Sequence, residues 1–379
     1  MPHARILFIS HDASRTGAPI VLLNLLRWIK QHTSWETEVL LGDGGELSGE
    51  FTRLSHTFTL PADSTRWTTS AVRDRRARRR LISRLQSGAY SLVYSNTATN
   101  GEELEILGGR QPIISHIHEL STTIRQFGKD NFDSVRRHTA RYIACAETVK
   151  NDLTTHWPID PAVVDVVHEF VQVPPEVDGS NEVRGRIRRE LGIPQEAFVV
   201  GGSGVVSWRK APDLFIGLAR AVKKRRPYPE VHFVWVGAFN QGIELGAIQY
   251  DLRGLGLEAQ VHFIGSRANP LDYFRAFDVF AMVSREDPFP LVCLEAASLG
   301  TPIVCFDYAG GMKEFVEDDS GFVLPYQDVD GMADAVLMLC QHEELRRDQG
   351  RRAAAKVRQR HDIDRVAPRI VDIVERLLC

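Results

Sequence analysis

The chain has 379 residues, of which 43% are hydrophobic, and its formal net charge is −3. This length is typical of two domains of ordinary size, each with a substantial core. The slightly negative charge excludes recruitment of nucleic acid or membrane by the field of the whole molecule. No apolar run approaches the ~20 residues that span a bilayer, and the N-terminus lacks the layout of a signal peptide.

The cysteines show neither metal-ligand spacing nor paired spacing. They are Cys145, Cys293, Cys305, Cys340 and Cys379. Two of them lie in apolar runs, as small core residues do. A reducing, cytoplasmic location is therefore expected.

The first elements predict a doubly wound α/β sheet. A buried strand is predicted over Arg5–Ser10, a polar loop with Gly17 over residues 11–19, and a helix over Ile20–Lys30. This order of strand, glycine-containing loop and helix is typical of such sheets. Further strands are predicted over Glu38–Leu41, Ser91–Tyr94, Pro112–Ser115 and Tyr142–Ala146.

Residues 73–84 form a basic run with one acid, Asp74. Its arginines are Arg73, Arg75, Arg76, Arg78, Arg79, Arg80 and Arg84. One interpretation is a solvated helix face. The other is a patch that contacts anionic lipid or an anionic acceptor, which gains up to about 1 kcal/mol per charge at a membrane surface.

Two histidines, His116 and His118, follow one another at the end of a predicted strand. Their spacing would suit a metal pair, but no third ligand is evident near them in the sequence, and a polar strand end is the alternative. No metal site is therefore predicted.

Val173–Asn181 contains two prolines and a Gly-Ser pair, which are typical of a linker, so a domain boundary is predicted there. A helix is predicted over Glu182–Leu191 and a strand over Phe198–Gly202. The glycine-rich segment that follows ends with Arg209 and Lys210, just before a helix that begins near Pro212. Glycine lets a ligand approach the backbone closely, and two cations before a helix suit a diphosphate.

More strands with glycine at or near their ends are predicted, over Val231–Gly237, Val261–Gly265 and Gly321–Pro325. Ligands of open α/β sheets bind outside the carboxyl ends of the strands. Gly237 is therefore a candidate for donor contact, together with Gly204 in the segment before Arg209.

Residues 279–306 predict one strand–helix–strand unit around an acidic turn. The strands are Val279–Val283 and Pro302–Phe306, the turn carries Glu286 and Asp287, and helical spacing begins at Leu291. The free N–H groups of the helix start, near Phe289, Pro290 and Leu291, would form an anion site. With Glu295 about two turns on, the site would suit a ligand with phosphate at one end and hydroxyl groups around it, such as a nucleotide sugar.

The segment Glu286-Asp-Pro-Phe-Pro-Leu-Val-Cys-Leu-Glu295-Ala, with Gly300-Thr-Pro-Ile-Val, resembles the signature of retaining GT-B glycosyltransferases of the large bacterial family 4. That signature has seven residues between two glutamates. Here the spacing from Glu286 is one residue longer, so the first acid is Glu286 or Asp287. The resemblance implies an α/β fold of the GT-B type, with two Rossmann-like doubly wound domains that face a central cleft.

The resemblance also implies roles for residues of the second domain. Lys210 matches the lysine of a Gly-Arg-x-x-x-x-Lys-Gly motif, while Val205 occupies the arginine position and Ala211 replaces the last glycine. Lys210, with Arg209 as a substitute cation, would stabilise the departing diphosphate. Glu295 would accept hydrogen bonds from ribose, and Glu286 or Asp287 would face the sugar.

The remaining implied site residues lie on the sugar and acceptor side. They are His118, which would contact a sugar hydroxyl, and Gly310, Gly311 and Glu314 of a Gly-Gly-x-x-Glu motif. Gly17 is a further donor-binding candidate, because the loop that carries it would lie near the donor phosphates and the acceptor. No metal or other cofactor is expected. The pairs Asp328/Asp330 and Asp362/Asp364 have the Asp-x-Asp spacing of metal-binding motifs, but both stand at predicted helix starts and are interpreted as N-caps.

The predicted function is retaining, metal-independent transfer of a sugar from a nucleoside-diphosphate sugar to a saccharide or lipid-linked acceptor, in polysaccharide, glycolipid or glycoconjugate biosynthesis. The predicted domains are 1–175 for the acceptor and 176–360 for the donor, with a terminal helix over 361–379 that crosses back onto the first. The location would be cytoplasmic, with peripheral contact to the inner face of the membrane through Arg73–Arg84.

Two alternatives remain open. The longer acid motif and Val205 would suit a non-catalytic nucleotide-sugar-binding protein, and GT-B folds also host nucleotide-sugar 2-epimerases. Nucleic-acid binding through the arginine run is not expected, because the chain is slightly acidic and the run lacks interleaved aromatic residues.

Overall fold

The computed structural model describes residues 4–61, 69–108, 111–174, 180–226, 228–239 and 242–378. The chain divides into two compact units. Unit 1 comprises Met1–Phe170 with Ile363–Cys379, and unit 2 comprises Val171–Asp362. The sequence analysis placed the corresponding boundaries at 175/176 and 360/361. Residues 175–179 of the predicted linker lie outside the described residues.

Unit 1 contains a seven-stranded parallel sheet in the order β3-β2-β1-β4-β5-β6-β7. The strands are β1 (Arg5–Ser10), β2 (Glu36–Leu41), β3 (His56–Thr59), β4 (Leu92–Ser95), β5 (Ile113–Ile117), β6 (Arg141–Ala144) and β7 (Val164–Val166). The central strands are buried apolar runs, as expected for a parallel sheet with helices on its faces. The strand order reverses between β1 and β4, where the two strands pair directly.

The helices of unit 1 separate most of these strands. They are α1 (Gly17–His32), α2 (Ser48–Leu54), α3 (Thr69–Ser87), α4 (Gly101–Leu107), α5 (Ser121–Gln126), α6 (Lys129–His138), α7 (Glu147–His156) and, from the end of the chain, α16 (Ile363–Leu378). Helix α1 begins at Gly17, three residues before the predicted start at Ile20. Pro19 is compatible with this start because the first turn of a helix needs no N–H from it.

Unit 2 contains a six-stranded parallel sheet in the order β10-β9-β8-β11-β12-β13. Its strands are β8 (Phe198–Ser203), β9 (Val231–Val236), β10 (Val261–Phe263), β11 (Val279–Met282), β12 (Ile303–Phe306) and β13 (Gly321–Leu324). Its helices are α8 (Ser180–Glu190), α9 (Pro212–Lys224), α10 (Gly242–Leu255), α11 (Pro270–Phe274), α12 (Leu291–Ser298), α13 (Met312–Val316), α14 (Val329–Gln341) and α15 (Glu343–Lys356). The order reverses between β8 and β11, which makes their carboxyl ends the topological switch point of a Rossmann-like sheet.

Helix α16 belongs to unit 1 although it follows unit 2 in the chain. Its buried side chains recur at helical spacing and are Val366, Ala367, Ile370, Val371, Ile373 and Val374. Two hydrogen bonds attach it: Trp28 Nε1 donates to Asp364 Oδ1 over 2.9 Å, and Arg369 donates to the carbonyl of Val166 over 3.1 Å. The last helix therefore completes the core of the first unit.

A search of the described helices for a membrane-spanning candidate found none with both the length and the apolarity that a bilayer crossing requires.

Candidate active site

The loops that follow β8 and β11 meet at the switch point of unit 2. The carbonyl of Arg209 accepts hydrogen bonds from the N–H groups of Arg285, over 2.7 Å, and Glu286, over 3.4 Å. Because ligands of open α/β sheets bind where the strand order reverses, this junction is the expected ligand site of the unit. Lys210 and the two candidate acids lie on these loops.

Lys210 and Asp287 form an ion pair across the junction. The Nζ atom of Lys210 lies 2.5 Å from Oδ2 of Asp287, which also accepts a hydrogen bond from Ser284 over 3.2 Å. The Lys210 side chain is 21% exposed and that of Asp287 only 8%. A charge-assisted bond of this kind fixes both groups and leaves one face of the cation accessible.

Glu286 faces the other cation. Its Oε1 atom is 3.9 Å from Nε of Arg209, and its side chain is largely buried, whereas Arg209 is half-buried. The two acids that the sequence left as alternatives thus occupy different positions, with Asp287 on Lys210 and Glu286 beside Arg209. Asp287 is also the acid that is separated from Glu295 by seven residues.

Two glycines shape the floor beneath Lys210. A Cβ atom on Gly204, where φ is +146°, would lie 2.9 Å from Cδ of Lys210. A Cβ on Gly237 would lie 2.0 Å from the carbonyl oxygen of Gly204. The sequence analysis assigned both glycines to close contact with a ligand. In this structure the space that they leave is taken by the lysine stem and by neighbouring backbone.

Ala211 ends the loop in a conformation that glycine adopts most readily. Its φ is +56° and its ψ is +55°, the left-handed region, immediately before the first residue of α9. The resembled motif has glycine at this position. The left-handed conformation explains that preference, because only glycine enters this region without steric cost. The departure from the motif is therefore tolerated at the price of local strain.

A third loop, between β12 and α13, is joined to the acidic turn. The N–H of Asp287 donates to the carbonyl of Ala309, and the N–H of Gly311 donates to the carbonyl of Pro288, each over 2.7 Å. A Cβ on Gly310 would lie 1.8 Å from the carbonyl oxygen of Asp287. The structure thus brings Gly310 and Gly311 against the acidic turn.

Glu314 of the same motif follows one turn later. It lies in α13 and is half-buried, and its N–H donates to the carbonyl of Gly311 over 2.9 Å.

Helix α12 starts directly after the acidic turn, and no side chain caps its first turn. Pro290 precedes the helix and supplies no capping side chain. The first N–H groups of a helix, here those of Leu291 and Val292, have no partner inside the helix, so an anion would satisfy them. The ring of Phe289 is buried and stacks on His361 with centroids 5.4 Å apart. Phe289 thus anchors the turn through its side chain.

Glu295 lies farther along α12 and is half-buried. Burial raises the pKa of its carboxyl to about 7, because the charged form loses hydration. A carboxylate with this pKa changes its charge within the physiological range and is a typical functional-site group.

His118 and Gly17 belong to unit 1, whereas Lys210, the acidic turn and Glu295 belong to unit 2. Asn96, which directly follows β4, links these two regions of unit 1. Its Nδ2 donates to the carbonyl of Ala18 over 2.8 Å, and its Oδ1 lies 3.1 Å from Nε2 of His118. The start of α1 and His118 are therefore neighbours at the switch point of the first sheet.

Glu169 is a site residue that the sequence analysis missed. Its Oε1 atom lies 2.5 Å from Nδ1 of His118, and ligand atoms of His116, His118 and Glu169 all lie within 4.8 Å of one another. The sequence analysis found no third group near the two histidines in the sequence, and the structure places the Glu169 carboxylate beside them. No sequence signal marks Glu169, since 51 residues separate it from His118. Asn96 could have been found as a polar residue at the end of a predicted strand.

The aspartate pairs with metal-motif spacing are partly explained. Oδ1 of Asp328 accepts a hydrogen bond from the N–H of Gly331 over 2.9 Å, which confirms it as the N-cap of α14. Asp364 lies in the first turn of α16 and accepts from Trp28.

Part of unit 2 and its flanking segments is similar in sequence to known proteins. The model of the family described as "Glycosyl transferases group 1" matches residues 183–356. A D-inositol 3-phosphate glycosyltransferase of Corynebacterium kroppenstedtii is 31% identical over 219 residues, which are 56% of this chain and 48% of that protein. The chain thus spans about half the length of the curated relatives that it matches.

Solved structures are similar to the whole chain. Anabaena HepE in complex with UDP and glucose has a TM-score of 0.81 at 20% identity, with 98% of this chain and 100% of that one covered. Sucrose-phosphate synthase from Thermosynechococcus elongatus has a TM-score of 0.75 at 16% identity, with 99% of both chains covered. These likenesses establish the fold, which is the two-domain Rossmann-like GT-B fold predicted from the sequence. Residues 183–356, which carry the lysine, the acidic turn and helix α12, are therefore the part of the chain that is similar to the glycosyl transferases group 1 family.

Proposed function

We propose that the chain is a retaining glycosyltransferase that moves a sugar from a nucleoside-diphosphate sugar to an acceptor hydroxyl without a metal ion. The observation that supports this proposal best is the pairing of Lys210 with Asp287 beside the start of α12. The cation, the acid and the free N–H groups of a helix start all lie at the carboxyl ends of β8 and β11. A diphosphate and a sugar hydroxyl are the two ligand groups that this combination fits.

The departing diphosphate would exchange partners with the ion pair. Lys210 would turn from Asp287 to a phosphate oxygen, and the freed carboxylate would accept a hydrogen bond from the sugar. One pair of unit charges at 4 Å contributes about 4 kcal/mol at an effective dielectric constant of 20. If Lys210 and Arg209 bind more strongly as charge develops on the leaving group, they account for several orders of magnitude in rate.

Glu295 would bind the ribose hydroxyls of the donor, and Glu286, Gly310, Gly311 and Glu314 would surround the sugar. Retention at the anomeric carbon, the absence of a metal requirement and the roles of these residues are parts of the proposal that rest on the family pattern. The curated relatives are named for transfer to D-inositol 3-phosphate, and the HepE structure contains UDP and glucose. For this chain we propose a saccharide or lipid-linked acceptor.

The proposed setting is polysaccharide, glycolipid or glycoconjugate biosynthesis at the cytoplasmic face of a membrane, with contact through α3. Arg76, Arg79 and Arg80 on this helix are exposed. Arg78 is engaged by Glu102 and by the carbonyl of Pro61, and Arg84 lies over the ring of Phe58 at 4.7 Å. Arg84 is also exposed, but because it contacts this ring, Arg76, Arg79 and Arg80 are the arginines proposed to contact anionic lipid. The side chains of Arg73 and Arg75 lie outside the described residues.

The proposed use of a nucleoside-diphosphate sugar is tested by a thermal-shift screen with UDP, GDP, ADP and their sugars. Donor turnover is then measured with a crude acceptor extract. The proposal expects stabilisation by one nucleotide class and loss of the matching donor only when acceptor is present. Stabilisation without turnover would indicate a non-catalytic binding protein. Release of the 2-epimer of the sugar would indicate an epimerase.

Metal independence has its own test. Turnover after dialysis against EDTA should equal turnover in added Mg²⁺ or Mn²⁺, because Lys210, Arg209 and α12 supply the positive charge that a metal would supply. The measurement is the initial rate of donor consumption at saturating acceptor. A large loss in EDTA that Mn²⁺ restores would contradict this part of the proposal.

A further inference from the structure

The imidazole of His118 has an acceptor at each of its nitrogen atoms. Nδ1 lies 2.5 Å from Oε1 of Glu169, and Nε2 lies 3.1 Å from Oδ1 of Asn96. The orientation of the Asn96 amide is fixed independently, since its Nδ2 donates to the carbonyl of Ala18 over 2.8 Å. A carbonyl oxygen cannot donate, so the amide oxygen must be the atom that faces His118.

Both ring nitrogens must therefore donate. A neutral imidazole carries one N–H and would leave either the Asn96 oxygen or the Glu169 carboxylate facing a lone pair. We propose that Glu169 and Asn96 hold His118 as an imidazolium, so that Glu169 is a positioning residue and His118 serves the proposed transfer as a fixed hydrogen-bond donor. The last clause rests on the proposed function, whereas the protonation state does not.

The charged and titratable groups around the ring agree with this state. Burial lowers the pKa of His118, but the charge and hydrogen bond of Glu169 outweigh it with help from Glu119, so the pKa is raised overall. Glu119 is itself held by Thr97, by the N–H of Ala98 and by the N–H of His118, at 2.6 to 3.0 Å.

The neighbouring His116 takes the opposite state. Its ring centroid is 4.1 Å from that of His118, and burial together with the His118 charge lowers its pKa well below the usual range. Its Nδ1 is hydrogen-bonded to the hydroxyl of Tyr94 over 2.8 Å. The carboxylates of Glu169 and Glu119 both favour the charged form of His118, whereas burial and the His118 charge disfavour the charged form of His116. The pair therefore consists of one imidazolium and one neutral imidazole.

This arrangement decides what His118 can contribute to transfer. An imidazolium held by a carboxylate has no free lone pair, so it cannot accept the proton of the attacking hydroxyl. It can donate a hydrogen bond from Nε2–H to a sugar or phosphate oxygen. That oxygen would accept the bond either together with Oδ1 of Asn96 or in its place. Such a charge-assisted donor is shorter and about twice as strong as a neutral one.

A metal ion is the competing occupant of the same cluster. The ligand atoms of His116, His118 and Glu169 lie within 4.8 Å of one another, and two histidines with one carboxylate form a donor set that zinc accepts. Coordination would require a deprotonated nitrogen on His118. Zinc binding and the imidazolium are thus mutually exclusive, which makes zinc a direct test.

The test is ¹⁵N NMR of the histidine rings in the full chain at pH 7.5, with His118→Gln used for assignment. His262 provides an internal neutral reference, because burial and His232 lower its pKa to about 4. The proposal expects two protonated nitrogens on His118, neutral shifts in Glu169→Gln, and restored cationic shifts in Glu169→Asp. A neutral His118 in the unsubstituted protein, or shifts that Glu169→Gln leaves unchanged, would overturn it.

Two further readouts separate this proposal from the proposed function. The cationic His118 signals of the purified protein should be the same before and after EDTA, and metal-bound His118 signals that EDTA removes would overturn the imidazolium. With an identified acceptor, kcat of Glu169→Gln should fall at least tenfold at pH 8, and Glu169→Asp, which keeps the carboxylate, should recover most of it. Cationic His118 signals in a protein without transferase activity would contradict the proposed function but support the proposed protonation state of His118.

Discussion

At the scale of single residues, the candidate donor site is electrically balanced before any ligand arrives. Lys210 neutralises Asp287, and Arg209 lies beside Glu286. A nucleotide diphosphate would upset this balance, since it adds negative charge where two carboxylates already lie. Binding is therefore expected to depend on rearranged pairs, and substitutions at these positions will act on stability as well as on rate.

Lys210→Ala should lower kcat at least a hundredfold, because the developing charge on the leaving diphosphate loses its closest cation. The same change leaves the buried Asp287 without its partner, which should cost about 1–3 kcal/mol of unfolding free energy. Turnover and urea denaturation of the same preparation measure both effects.

The double variant Lys210→Ala/Asp287→Asn separates them. Removal of the orphaned charge should restore most of the stability, while turnover should stay low. Near-normal kcat in the single variant would exclude Lys210 from the diphosphate site.

The pKa of Glu295 predicts pH-dependent donor binding. Above pH 7 the ionised carboxylate offers acceptors on both oxygens to ribose hydroxyls, and below pH 7 it is protonated. With a pKa of about 7, the affinity for a nucleoside-diphosphate sugar should fall about tenfold from pH 8 to pH 6. Calorimetric titration at these pH values measures the change. The donor is used intact because its phosphodiester groups bind no protons in this range.

Glu295→Gln is the matched variant, with the same shape and no titration. Its affinity should be the same at pH 6 and pH 8. An unsubstituted protein without pH dependence, or a variant that keeps it, would remove Glu295 from the ribose site.

At the scale of elements, the site is built by three loops that share backbone hydrogen bonds. The loop after β8 contacts the acidic turn after β11, and that turn contacts the loop after β12. None of these contacts depends on a long side chain. The geometry of the site is therefore set by the backbone, and a small steric change in one loop will be felt in the others.

Gly310→Ala tests this coupling. The added Cβ would meet the carbonyl oxygen of Asp287, and the φ of +152° is unfavourable for alanine. We expect a loss of about 2 kcal/mol in unfolding free energy, with donor affinity reduced at least tenfold because the acidic turn must move. Urea denaturation and calorimetry provide the two measurements.

Gly217→Ala in α9 is the control, since its Cβ would approach no atom more closely than 3.9 Å. Alanine is the better helix former by up to about 1 kcal/mol, so this variant should be unchanged or more stable. Equal behaviour of the two variants would show that the loops are independent.

Most elements could be predicted from the sequence because their apolar residues form continuous runs or recur at helical spacing. Strands β3 and β7 were missed for a physical reason. Both are short and lie at the two edges of their sheet, and three of the four β3 residues carry polar side chains. Edge strands are not covered on both sides, so they need no apolar run.

Some residues of the candidate site could be predicted from the sequence, but the contacts between them could not. Lys210 and Asp287 could be found because motifs and their spacing mark them within short stretches of sequence. Their direct contact could not, since it joins loops 77 residues apart. Asn96 follows a predicted strand and could have been named, whereas Glu169 became visible only when the sheet brought the ends of β5 and β7 together.

At the scale of the whole molecule, the net charge of −3 conceals a local excess of positive charge on α3. Replacement of Arg76, Arg79 and Arg80 by serine should weaken binding to vesicles that contain anionic lipid at least tenfold, because each arginine at the surface contributes up to about 1 kcal/mol. Sedimentation with vesicles at two salt concentrations measures this effect.

Arg78→Ser provides the contrast, because Arg78 is engaged within the protein by Glu102 and Pro61. It should affect stability more than vesicle binding. Unaltered sedimentation of the triple variant would make α3 a solvated face.

The membership of α16 in unit 1 has a consequence for biosynthesis. Unit 2 is one uninterrupted segment, Val171–Asp362, whereas the core of unit 1 lacks Ile370 and Val374 until Ile363–Cys379 has left the ribosome. Most of unit 1 is thus translated before unit 2, but the core of unit 1 is completed after that of unit 2. Until then the nascent chain carries an exposed apolar groove, which chaperones would be expected to cover.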